Sequence, residues 1–167
     1  TVRTKYTAKQ VDAEGFRFEL DDFLVDRVLY EAFLKYLDGQ VSSENLRCLQ
    51  AINVFKKLMH GAFLDPSLKQ QAIEQGWVIY KYFIAEESAY EVSVPHEVGR
   101  DIMRELANPN VKTFDRIESS ANLALAAHHS SFAGTSAYAK LISTIVDVME
   151  GRDMRVAEVV GGGGNNG

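Results

Sequence analysis

"SSENLRCLQAINVFKKL", residues 42–58, decides how the rest of the chain is read. Two serines and an acidic residue stand ahead of the first apolar position, which is the usual writing of a helix start. Hydroxyls can cap the free amides there, and negative charge suits the positive end of the helix dipole. Beyond that point Cys48, Ile52, Phe55 and Met59 recur at steps of four, three and four, the period of a helix with one buried face. Glu44 and Asn45 together carry more polar chemistry than a helix start needs. Ser42-Ser43-Glu44-Asn45 is therefore either a cap alone or a cap that is also a surface.

The same spacing extends in both directions. Leu20, Phe23, Leu24, Val28, Leu29, Phe33 and Leu37 precede the segment, and Leu68, Ala72, Ile73, Trp77, Tyr80 and Ile84 follow it. Val98, Ile102 and Leu106 form the next stripe, then Phe114, Ile117, Ala121 and Leu125, and last Phe132, Tyr138, Leu141, Ile145 and Met149. Each reads as the buried face of an amphipathic helix, which would put Trp77 in the core. The three prolines punctuate these stripes. Asp65-Pro66 reads as a cap followed by proline at the first helical position, and Val94-Pro95 and Asn108-Pro109 read as helix boundaries. Only "YEVSV", residues 90–94, alternates as a strand would, and it has no second strand to pair with. The expectation is an all-α fold of seven to nine helices, with short connections that favour antiparallel neighbours. The longest irregular stretch is "AEESAYEVSVPH", residues 85–96, where Glu86, Glu87 and Glu91 cluster. Loops of that length in compact helical domains are commonly functional.

Composition narrows the function classes. A chain of 167 residues, 46% apolar and 25% charged, is most simply one soluble domain with a real core. The net charge of −5 points away from nucleic acid, and no apolar run approaches the ~20 residues of a membrane span. No signal peptide opens the chain. Cys48 has no second cysteine to pair with, which fits a reducing compartment and a small buried side chain. A start at Thr1 and an end in "GGGGNNG" suggest a domain of a longer protein with a flexible tail. His60, His96, His128 and His129 lack metal-ligand spacing, since adjacent residues on a helix diverge by about 100°. There is no HExxH, CxxC, Walker loop or nucleophile elbow. No catalytic residue, metal site or cofactor is expected.

The ordered set of segments resembles one family, the regulator of G-protein signalling (RGS) domain. "FELDDFLVDRVLYEAFLKYL" (18–37) resembles its opening, a short helix, a reversal and an aromatic-rich second helix. "SSENLRCLQAINVFKKL" resembles its S-x-E-N-L segment, although Cys48 and Leu49 replace a Phe-Trp pair. "IYKYFIAEESAYEVSV" (79–94) resembles an I-Y-x-x-F-I helix end followed by an extended loop. "NVKTFDRIESSANLAL" (110–125) resembles the Phe-Asp start of the penultimate long helix, and "FAGTSAYAKLI" (132–142) the close of the domain. The resemblance implies a nine-helix fold, with an antiparallel four-helix bundle and a smaller bundle built by the terminal helices. It sets the domain at residues 16–155, with an N-terminal extension over 1–15 and a tail over 156–167.

The resemblance also implies a partner and a surface. RGS domains bind GTP-loaded Gα subunits and accelerate hydrolysis, so the implied role is GTPase activation in the cytoplasm, at the inner face of the plasma membrane through Gα. No cofactor, nucleic acid or transmembrane segment is implied. Three loop clusters would make the contact. The first is Ser42, Glu44 and Asn45. The second is Glu91 and Ser93, where serine stands in place of an asparagine. The third departs most: Leu125, His128, His129 and Ser131 occupy the corner where the family places an Asp-Ser pair and an arginine. The ion pair usual at that corner cannot form from these residues. Two other readings stand beside activation: an RGS-like docking domain without GTPase activation, and an unrelated all-α interaction domain.

Overall fold

In this computed structural model residues 5–40 and 42–161 are described, residues 153–161 through their backbone alone. Eight α-helices follow in order: α1 (Ala8–Val11), α2 (Leu20–Val25), α3 (Arg27–Gly39), α4 (Glu44–Gly61), α5 (Ser67–Ile79), α6 (His96–Glu105), α7 (Asp115–Ala133) and α8 (Ser136–Gly161). The end of α5 widens into a π-helical turn over Tyr80–Ile84. No strand forms among the described residues, and 90–94 is irregular. The chain divides into two compact units. One is residues 37–128; the other joins the N-terminal segment through Tyr36 to the C-terminal segment from His129.

Residues 37–128 form the antiparallel four-helix bundle of α4 to α7. Early α5 meets late α4, since Gly61 lies against Leu68, while Gln75 Nε2 donates to the Ala51 carbonyl at 3.0 Å nearer the start of α4. Leu106 at the end of α6 packs on Gly76, and Gly99 near its start on Ile84. Phe55 near the end of α4 meets Phe114 at the start of α7 edge-on at 4.9 Å. Beside them Lys56 bonds Glu118 and, at 3.1 Å, Asp115. Desolvation pulls the Lys56 ammonium down, but the bonds to Glu118 and Asp115 outweigh it and leave it raised.

The bundle core contains Cys48, Ile52, Phe55, Ala72, Ile79, Phe83, Ile102, Leu106, Phe114 and Ile117. Burial pushes the Cys48 thiol up to about 12. One stripe differs from its sequence reading. Trp77 is 44% exposed, and α5 instead buries Ala72, Gly76 and Ile79, with Phe83 next. Gly76 is the cause. A Cβ there would stand 2.6 Å from Leu106 Cδ2, so a close helix contact of the bundle is made by a residue with no apolar side chain to reveal it.

The second unit is built from rings. Phe18 meets Phe16 and Phe23 edge-on, Phe33 stacks on Phe132 at 5.3 Å, and Tyr138 meets Phe132 at 5.5 Å. The Phe18 amide donates to the Tyr138 hydroxyl at 3.0 Å, which ties the extended segment before α2 to α8. Asp26 explains the α2–α3 reversal. Its backbone is extended, and its carboxylate accepts from the Val28 and Leu29 amides at 2.9 and 3.1 Å, capping α3. The α8 backbone continues to Gly161, and the rest of the proposed tail lies outside the described residues.

Candidate functional site

The start of α4 is not capped as its sequence suggests. Ser43 has helical dihedrals, φ −85° and ψ −11°, and its hydroxyl makes no cap bond. A capping side chain needs an extended backbone to reach back to the free amides; at Ser43 the chain is already turning. Its Oγ accepts instead from Arg47 Nε at 3.4 Å. The Ser42 amide donates to the Leu37 carbonyl at 3.2 Å, while the Ser42 hydroxyl is buried without a partner. Glu44 and Asn45 are half-buried, and Asn45 Nδ2 donates to Glu44 Oε1 at 3.3 Å. That bond orients the carboxylate and leaves the amide oxygen uncommitted to it.

The 85–95 loop doubles back along the last turn of its helix. The Tyr90 amide donates to the Tyr82 carbonyl at 3.0 Å and the Val92 amide to the Phe83 carbonyl at 2.9 Å. Val92 is buried while Tyr90, Glu91 and Ser93 stay exposed. The alternation seen in "YEVSV" is thus real, with valines in and polar residues out, but it serves a pinned loop and no ladder. Glu87 takes φ +58°, a left-handed conformation that costs a side-chain-bearing residue free energy. Its amide donates to Glu91 Oε2 at 3.2 Å.

These two segments meet. Asp38, Ser43, Glu44, Ala89, Tyr90 and Glu91 line one concavity of about 330 Å³. Glu44 of the first sequence-predicted cluster and Glu91 of the second therefore line one hollow, while Ser42 and Asn45 do not line it. Ser93 opens on a separate cavity of about 270 Å³, lined also by Val98, Arg116 and Ile117. Since Pro95 stands at the cap position before α6 and no side chain caps that helix, Ser93 is not spent as one. Leu125 has 0% of its surface exposed and belongs to the core, so it has no area to offer a partner. His128 is half-buried on α7. His129 and Ser131 belong to the ring-built unit. There His129 Nε2 lies 2.8 Å from the Phe18 carbonyl, and its ring stands edge-on to Phe23 and Phe33, at 5.4 and 6.1 Å. His129 is thus spent on packing, and Ser131 is exposed.

A family profile described as the regulator of G protein signaling domain matches residues 19–141. This chain belongs to the RGS domain family. Two relatives bear the name Regulator of G-protein signaling 5. The chain is 28% identical to that of Mus musculus over 100 residues, covering 60% of this chain and 51% of the relative. It is 27% identical to that of Sus scrofa over 104 residues, covering 62% and 53%. The chain spans about half the length of the curated relatives it matches. The RGS match takes in the whole of the 37–128 bundle unit, and with it the concavity.

Three residues at or beside this concavity escape a sequence reading. Asp38, Arg47 and Tyr90 bring neither a motif nor a telling spacing, because α3, α4 and the loop after α5 meet only in the folded bundle. Arg47 Nη2 approaches Asp38 Oδ2 at 3.4 Å, and its guanidinium lies 4.9 Å from the centre of the Tyr90 ring.

Proposed function

We propose that this RGS domain is a GTPase-activating domain, which binds the switch segments of GTP-loaded Gα and stabilises them in their hydrolysis geometry. Gα supplies its own arginine and the glutamine that orients the attacking water. The activator then needs no acid, base or metal of its own. Binding the switches more tightly in the transition state than in the ground state is enough to lower the barrier. The observation that carries this reading is the shared concavity, which joins Ser43 and Glu44 to Tyr90 and Glu91. Glu44, Asn45 and Glu91 would offer acceptors and an amide to backbone donors and polar side chains of the switches. Ser93 would offer one hydroxyl. The domain would act in the cytoplasm, held at the inner face of the plasma membrane by Gα. Among the described residues no helix is long and apolar enough to cross a membrane.

Two observations favour a second reading, docking without activation. Ser93, standing where the family has its asparagine, opens on a different cavity from Glu44, and Leu125 is buried. Single-turnover GTP hydrolysis by a panel of Gα subunits separates the two. Activation predicts an increase in rate with at least one Gα. Binding to a Gα with no increase in rate decides for docking.

A further inference from the structure

Arg47 is the one cation in direct contact with both halves of this surface among the described residues, and we propose that it is a positioning residue for Gα binding. It would hold the start of α4 and the 85–95 loop in one mutual geometry. The contacts are specific. Arg47 Nε donates to Ser43 Oγ at 3.4 Å, and Nη2 reaches Asp38 Oδ2 and Oδ1 at 3.4 and 3.5 Å. The guanidinium also covers the Tyr90 ring at 4.9 Å from its centre. One planar cation so ties the end of α3, the turn before α4 and the loop after α5. The Arg47 side chain is 30% exposed, so water only partly screens these contacts.

Charge explains why an arginine suits this place. Asp38, Glu44 and Glu91 line the same concavity, and three carboxylates around one hollow repel each other. A guanidinium offsets that repulsion, and its flat face packs on an aromatic ring while its edge bonds a carboxylate; an ammonium lacks that shape. The 85–95 loop has no regular structure to hold its distance from α4. On the α4 side, Tyr90 meets this arginine; on its own side, its ring lies 6.1 Å from Phe83 and its amide is bonded to Tyr82. Losing Arg47 leaves Tyr90 attached to its own helix alone. Glu44 and Glu91 would then no longer be presented together, and the partner would have to order them on binding.

This inference rests on the Gα reading, and the experiment separates the two. Arg47→Gln, Tyr90→Leu, the double variant and Arg47→Lys are compared with the parent domain. Amide hydrogen exchange is followed on the free domain over residues 42–46 and 86–93, and affinity is measured for Gα·GDP·aluminium fluoride. Each single substitution should speed exchange in both segments by about fivefold and weaken binding by a similar factor. Thermal midpoints should stay within about 3 °C of the parent. The double variant should match either single one, and Arg47→Lys should recover about half of the loss, since it keeps a cation over the ring. Exchange that rises only in the segment carrying the substitution, or additive losses in the double variant, overturns the positioning role. A parent domain that binds no Gα while exchange remains coupled overturns the Gα reading and leaves the tie between the segments standing.

Discussion

The two ends of the four-helix bundle are built to different standards. At the end where α4 turns into α5 and α6 into α7, polar groups are matched. Asp65 accepts from the Ser67 amide and hydroxyl at 3.0 and 2.7 Å, which holds its carboxyl below the usual range. Lys69 Nζ donates to the Pro109 carbonyl at 2.9 Å and joins the two turns. Thr113 Oγ1 accepts from the Asn110 amide at 3.0 Å, and Asn110 Oδ1 from the Lys112 amide at 2.8 Å. At the other end, the Ser42 and Ser88 hydroxyls are buried without partners, Ser43 does not cap its helix, and Glu87 is left-handed. Well-matched local chemistry marks a segment made for folding, and its lapses gather where a chain serves a partner. The contrast accords with the proposed reading, in which one end serves stability and the other recognition.

Substitutions at each end test that division. The largest effect is expected from Glu44→Ala with Asn45→Ala, which should weaken binding to transition-state Gα by at least ~30-fold, about 2 kcal/mol. Far-UV circular dichroism and the thermal midpoint should be almost unchanged. Equal losses of folding and binding would return these residues to the fold and erase the contrast. Thr113→Val at the matched end should do the reverse: about 1 kcal/mol of stability lost in urea unfolding, because the half-buried bond from the Asn110 amide loses its acceptor, with Gα affinity held within about twofold. The smallest effect belongs to Ser42→Ala. Removing a buried hydroxyl without a partner should change stability by no more than ~0.5 kcal/mol, and in the stabilising direction. A loss above ~1 kcal/mol would mean the hydroxyl is part of the fold after all.

The helical fold was legible because most core positions carry their own apolar side chains at steps of three and four. The α5 stripe was misread where that condition fails, since Gly76 faces the core and Trp77 does not. Of the candidate site, local sequence pointed to Glu44 and Glu91, which the fold brings to one concavity, but it gave no sign that Ser93 would open on another. What a helix start looks like in sequence did not say whether its serines would cap, because capping depends on the dihedrals of Ser43. His129 read as surface, yet it fills a place among Phe18, Phe23 and Phe33 that only the folded chain creates. Arg47 and Tyr90 are far apart in sequence, and neither signals the other.

The central claim is that the concave end of the bundle recognises the transition-state arrangement of a Gα subunit. The most direct measurement is the affinity of the domain for one Gα in its GDP state and in its GDP·aluminium fluoride state, side by side. Differential binding predicts a preference of at least ~100-fold for the aluminium fluoride state. Equal affinity for the two states would contradict the account.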